Sequence, residues 1–222
     1  MMCDASLWSK QTKELGDRHT LTVADITRAD TIAEIAEQVL DDSPEHFALA
    51  GLSMGGIVAM EMWRRAPQRI ERLALLDTNF RSDSNERKGV RDRQIADVTI
   101  GGLEYVLRDE LKPQYLALCH QDNLVLLEEV LAMGLALGPE VFLRQSLALR
   151  DRPDSTETLT SITCPTLILC GQEDRLCTPE LHREMAQLIT DAELQIIPAC
   201  GHLSTLEQPK LVNQALSHWI DN

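Results

Sequence analysis

Ser53, Asp174 and His202 are the residues whose types and surroundings could do chemistry together. Ser53 sits at the centre of Gly51-Leu52-Ser53-Met54-Gly55-Gly56, a G-x-S-x-G turn. Before it, Phe47-Ala48-Leu49-Ala50 is short and apolar enough for a buried strand. After it, Ile57 to Arg65 suits a helix that ends near Ala66-Pro67. A strand, a sharp turn and a helix with serine at the apex form a nucleophile elbow. The turn strains the serine backbone, and glycines two residues to either side leave room for the neighbouring chain. The hydroxyl then stands at a helix N-terminus, where free backbone N–H groups can stabilise an oxyanion.

A serine hydroxyl is a weak nucleophile near neutral pH and needs a base in hydrogen-bond reach, itself oriented by a carboxylate. On an elbow fold these follow in the order serine, acid, histidine, each after a later strand. Thr166 to Cys170 reads as a strand and is followed by Gly171-Gln172-Glu173-Asp174. Leu194 to Ile197 reads as the last strand and is followed by Pro198-Ala199-Cys200-Gly201-His202. Asp174 is therefore the preferred acid and His202 the base. Asp77, at the end of Leu73-Ala74-Leu75-Leu76, is the alternative acid, and Glu173 is expected to point elsewhere. His19, His46, His120, His182 and His218 have no such placement and are expected at the surface.

These side chains need a scaffold. Thr20–Ala24, Phe47–Ala50, Leu73–Leu76, Thr166–Cys170 and Leu194–Ile197 read as strands, with helices predicted over Ser6–Leu15, Thr31–Leu40, Pro179–Ile189 and Pro209–Ile220. Thr31 and Glu34 form a capping-box pattern. Alternating strands and helices imply an α/β fold with a parallel sheet covered on both faces, and residues 1–222 are expected to form one domain. From Arg81 to Arg152 no strand is apparent. A charged stretch beginning as a loop (Arg81–Arg93) precedes helical patterns over Gly101–Leu111, Leu124–Leu137 and Pro139–Leu149. An insertion of this length between parallel strands exceeds a simple crossover, and residues 81–152 are expected to be a lid over the carboxyl edge of the sheet.

Composition excludes several classes. A formal net charge of -14 argues against a nucleic-acid partner. No stretch reaches the about 18 apolar residues of a membrane span, and Met1-Met2-Cys3-Asp4 does not open a signal segment. The six cysteines lack any C-x-x-C pair or zinc-type spacing with histidine, so reduced thiols, a cytoplasmic location and no metal are expected.

The arrangement resembles the α/β-hydrolase superfamily, in particular its branch of small esterase-like hydrolases, over nearly the whole chain. Asp4-Ala5-Ser6-Leu7-Trp8 is similar to the helix start after the oxyanion loop, and Arg64 to Ile70 to the link into the next strand. Cys164-Pro165-Thr166, Gly171-Gln172-Glu173-Asp174 and Cys200-Gly201-His202-Leu203 with Glu207-Gln208-Pro209 complete the pattern. The resemblance implies that Ser53, Asp174 and His202 form a catalytic triad, that Met54 N–H is one oxyanion donor, and that no cofactor is required. A serine at the elbow separates the chain from haloalkane dehalogenases and epoxide hydrolases, which carry aspartate there. Relatives ordinarily have a hairpin and a further strand ahead of the residues seen here, with the second oxyanion donor falling at about Met1. Two readings follow: a polypeptide that starts upstream, with roughly 20–30 further residues ahead of an internal Met1, or a short form of the family's fold.

The leading functional expectation is a serine hydrolase acting on a small carboxylic ester, with thioester, lactone or amide as other acyl bonds, and a small-molecule acyl substrate as its partner. A non-catalytic ligand-binding or interaction protein on the same scaffold is the alternative, and cofactor-free C–C bond or lyase chemistry a third. Nothing in the sequence sets the oligomeric state.

Overall fold

In a parallel sheet with helices on both faces, every strand must be apolar on both sides, and two of the apolar runs meet this fully. The computed structural model describes residues 1–222. A short 3-10 turn at Ala5–Trp8 leads into α1 (Ser9–Leu15), and α2 (Ile32–Asp41) follows, its first turn capped by the Thr31 hydroxyl, which accepts from Glu34 N. Next come β1 (Phe47–Leu52), α3 (Met54–Arg65) and β2 (Ile70–Leu76). A helical stretch then holds α4 (Asn85–Thr99), α5 (Leu103–Tyr105), a π-type turn at Val106–Leu111, α6 (Leu124–Arg150) and α7 (Thr156–Thr160). The chain closes with β3 (Thr166–Gly171), α8 (Pro179–Leu188), β4 (Glu193–Ile197), α9 (Ser204–Glu207) and α10 (Pro209–Asp221). α6 is broken at Gly138, whose φ of 78° lies just ahead of Pro139. No helix is long and apolar enough to cross a membrane.

The four strands pair in parallel in the order β1-β2-β3-β4. Alternation along β2 and β3 divides the core. Ala74, Leu76, Leu167 and Leu169 face α10 and the inserted helices, whereas Leu73, Leu75 and Ile168 face α2, α3 and α8. Ser53, Asp77, Asp174 and His202 all follow the carboxyl ends of strands, the edge at which open α/β sheets place their ligands.

Two elements differ from what the sequence leads one to expect. Thr20–Ala24 is not a strand: it carries no ladder, and Leu21 and Val23 are more than one-third exposed. An alternating apolar run becomes a strand only beside a hydrogen-bonding neighbour. β1 pairs only with β2, and a cavity whose wall includes both β1 and Thr20–Ala24 lies at its other edge. The second difference is α4: the charged stretch begins as a loop over residues 81–84, as expected, but from Asn85 it runs as a helix that the sequence did not reveal. Ser84 caps it by accepting from Arg87 N, and its buried face is Arg91, Gln94 and Val98. A helix that buries arginine and glutamine does not produce the apolar stripe by which helices are recognised in sequence.

Candidate active site

At the end of β1 the backbone turns through Ser53 at φ 53° and ψ −115°, a conformation costly for a residue with a Cβ. Neighbours hold it there. Ser53 N donates to Leu76 O (2.9 Å), and the Thr78 hydroxyl donates to Ser53 O (2.6 Å). A Cβ on Gly51 would lie 2.3 Å from Gly55 O, and one on Gly56 would lie 2.6 Å from Thr78 Oγ1. One on Gly55 would meet nothing within 4 Å, so the crowded glycines are Gly51 and Gly56 and not the symmetric pair of the motif. We expect Gly51→Ala and Gly56→Ala each to destabilise the protein by about 1–3 kcal/mol, as overpacked core sites do, and Gly55→Ala by much less. Urea unfolding of the three variants measures this.

Ser53 Oγ lies 2.9 Å from His202 Nε2, and His202 Nδ1 lies 2.8 Å from Asp174 Oδ2. Asp174 and His202 are buried. The other carboxylate oxygen, Asp174 Oδ1, accepts from Leu176 N (2.8 Å) and Cys177 N (2.9 Å), which fixes the orientation of the acid. His202 is held from behind by its own N–H, which donates to Tyr115 O (2.7 Å), and the Tyr115 ring lies 5.8 Å from the imidazole. The structure thus brings together the three side chains singled out from the sequence. Met54 opens α3, so its N–H has no carbonyl of its own helix to bond and lies beside Ser53 at the positive end of the helix dipole. Met2 N, near the position expected for a second oxyanion donor, is already bonded to Gln145 Oε1 (2.7 Å).

Asp77 is buried but does not touch His202. Its carboxylate accepts from Gly171 N (2.9 Å) and Ser204 N (3.4 Å), tying the end of β3 to the start of α9. Burial, and then the nearby charge of Asp174, push its pKa well above the ordinary 3.8. Across that window the folded protein holds a proton that the unfolded chain has lost, so this group makes stability fall as pH rises from about 4 towards the folded pKa. The slope is at most about 1.4 kcal/mol per pH unit. Asp77→Asn removes the titration. We expect its stability relative to wild type to increase from pH 5 to pH 8 in urea unfolding, and a constant difference would contradict the assignment.

Several supporting residues have weak sequence signals. The Glu207 side chain is buried and accepts from Ala117 N (2.8 Å) and Gly201 N (2.9 Å), while Glu173 accepts from Leu118 N (2.9 Å). These bonds pin residues 115–118 to the loops that carry Asp174 and His202. His182, expected at the surface, is instead buried. Its Nδ1–H bonds Thr178 O (3.0 Å), its Nε2 accepts from Thr78 N (3.0 Å), and burial lowers its pKa. It stays neutral and steadies the threonine that holds Ser53. The charged run in α4 hides Arg87 and Arg91, which line the same cavity of about 950 Å³ as Ser53 and His202.

Donor atoms of Asp174, Cys177 and His202 lie within 4.8 Å of one another. Both carboxylate oxygens of Asp174 already carry N–H partners, and burial pushes the Cys177 thiol up, away from the thiolate that binds metals. The donor set suits a hydrogen-bonded relay better than a metal centre.

The chain is similar to known proteins of one family. The family model described as "Alpha/beta hydrolase family" matches residues 13–215. A Yersinia enterocolitica protein provisionally named carbamate hydrolase RutD is 29% identical over 196 residues, covering 87% of this chain and 70% of that protein. A thermophilic esterase from Thermogutta terrifontis, solved with malate bound, is 31% identical with a TM-score of 0.89, covering 99% of this chain and 86% of the esterase. A hydrolase from Pseudomonas aeruginosa is 25% identical with a TM-score of 0.85, covering 100% of this chain and 87% of its own. With a family match over most of its length and strand, turn and helix in the order the family requires, the chain belongs to the alpha/beta hydrolase family and is a hydrolase.

Proposed function

We propose that the protein is a serine hydrolase that cleaves a small carboxylic ester through an acyl-enzyme on Ser53. The observation that carries this reading is the unbroken relay from Asp174 through His202 to Ser53, with contacts of 2.8 and 2.9 Å. His202 Nε2 takes the Ser53 proton as Oγ attacks the acyl carbonyl. Met54 N–H stabilises the tetrahedral oxyanion, and collapse expels the alcohol with the proton returned from His202. Water, deprotonated by the same histidine, then attacks the acyl-serine and releases the acid and free Ser53. Asp174 keeps the Nδ1 proton on His202 and balances the imidazolium charge in both halves.

An ester-type acyl bond is supported by the esterase and the carbamate hydrolase among the relatives; lactones, thioesters and amides would use the same steps. We assign residues 81–152 the role of a lid. Their support for it is the bonding of Tyr115, Ala117 and Leu118 to the site loops. Six free thiols, three of them buried, favour a reducing compartment such as the cytoplasm. Hydrolysis of p-nitrophenyl acyl esters by the purified protein tests the reading. We expect saturable turnover without added metal or cofactor, and an absence of turnover across short-chain esters would contradict it.

A further inference from the structure

The acidic chain gathers arginines at its candidate active site. Arg87, Arg91, Arg152 and Arg175 all line the cavity that holds Ser53 and His202, although the protein as a whole carries a formal net charge of -14. Two of them are buried around a single carboxylate. Arg91 Nε bonds Asp83 Oδ2 (2.5 Å) and Arg152 Nη2 bonds Asp83 Oδ1 (2.7 Å), which leaves one positive charge in excess among three buried groups. Each guanidinium nitrogen of Arg152 has an oxygen partner, with Nε on Arg81 O (2.9 Å) and Nη1 on Leu149 O (3.0 Å) besides Asp83. Arg91 is not: the remaining partner of its guanidinium is Met1 Sδ at 3.7 Å, a weak acceptor. Arg87 is half-buried and Arg175 exposed, and neither has a carboxylate within 4.0 Å.

These charges line the same cavity as the reacting groups. Arg152 and Arg87 act on the Cys177 thiol, which lies within 4.8 Å of the Asp174 and His202 donor atoms. Arg91 and Arg87 act on the phenol of Tyr115, whose ring packs beside His202. The remaining carboxylates in the cavity wall have other occupations. Asp25 and Asp42 pair with Arg28, and Asp4 caps the Ala5–Trp8 turn. Anchoring α4 explains the Arg91–Asp83–Arg152 cluster, but it does not explain the unpaired Arg87 and Arg175 or the spare donors of Arg91.

We propose that Arg87, Arg91 and Arg175 bind a carboxylate on the substrate, so that the preferred acyl compound is an ester carrying a free carboxylate a few bonds from the scissile carbonyl. This specificity rests on the hydrolytic reading of Ser53. Guanidinium forks match carboxylates in geometry, and a site walled by protein strengthens the attraction relative to water. An anion approaching a protein of this net charge is repelled at long range, so a local cationic cluster is what would select it.

The experiment has two arms. In the binding arm, Ser53→Ala protein is titrated calorimetrically with monomethyl adipate and with methyl hexanoate, which have similar chains but differ in the terminal carboxylate. We expect the acid to bind at least about tenfold more tightly, with the advantage shrinking in high salt and lost in Arg87→Gln/Arg175→Gln. In the turnover arm, wild-type protein is given the p-nitrophenyl monoester of adipic acid and p-nitrophenyl hexanoate. The kcat/KM ratio should favour the anionic ester about tenfold, and the double variant should erase that ratio chiefly through KM. Equal affinity for the two ligands, or a preference that survives the double variant, would overturn the carboxylate site. Binding preference without turnover of either ester would leave that site standing and overturn the hydrolytic reading. Turnover of both esters with no preference would overturn the carboxylate site alone.

Discussion

Ser53→Ala should lower kcat/KM for a p-nitrophenyl ester by a factor on the order of 10⁵ or more, the scale seen when the nucleophile of a serine relay is deleted. The hydroxyl is the atom that forms the covalent bond, and no second nucleophile is placed to replace it. Cys177 is the nearest candidate, but burial and the charges of Asp174 and Asp77 push its thiol up and keep it protonated. The substitution itself is mild. Ser53 has no side-chain capping bond to α3, and its backbone is held by Leu76 O and the Thr78 hydroxyl, which alanine leaves in place. Steady-state assays beside urea unfolding separate the two effects: activity should vanish while stability changes by little. Residual activity within about tenfold of wild type would place the nucleophile elsewhere.

Asp174→Asn should reduce kcat by about 10³–10⁴-fold, because an amide no longer enforces the Nδ1–H tautomer of His202 or balances the imidazolium. Asp77→Asn should reduce it far less. The two aspartates are both buried at strand ends, and their carboxylates lie within 4.8 Å of each other, so sequence position alone distinguishes them poorly. Geometry separates them. Asp174 is 2.8 Å from the imidazole, whereas Asp77 bonds Gly171 at the end of β3 and Ser204 at the start of α9, beside the loops that carry Asp174 and His202. If Asp77→Asn proved the more damaging substitution, the acid would have to be reassigned.

Much of this site is legible along the chain because the fold brings strand ends to one edge. Ser53, Asp174 and His202 each follow an apolar run, and the order of those runs is preserved in the sheet β1-β2-β3-β4. What escaped the sequence depends on partners. Thr20–Ala24 has the alternation of a strand but no neighbour to pair with. α4 has a good cap at Ser84 but buries Arg91 and Gln94, so its helical face is polar. His182 carries no signal for burial, because its role is a pair of hydrogen bonds to Thr78 and Thr178, and the bond to Thr78 exists only once α8 packs against the sheet. At the elbow the motif marks Gly51 and Gly55, yet close packing falls on Gly51 and Gly56 because Thr78 comes from a different strand end. The arginines around the cavity show the same limit. Arg87 and Arg91 lie some 60 to 90 positions along the chain from Arg152 and Arg175, and only tertiary packing brings them to one cavity.

The nucleophile can be read most directly from the site of covalent modification. Protein treated with a fluorophosphonate, digested and analysed by mass spectrometry should carry a single adduct on the peptide containing Ser53, formed as Oγ displaces fluoride, and none in Ser53→Ala. An adduct on another residue, or none on folded wild-type protein, would contradict the assignment of Ser53 as the nucleophile.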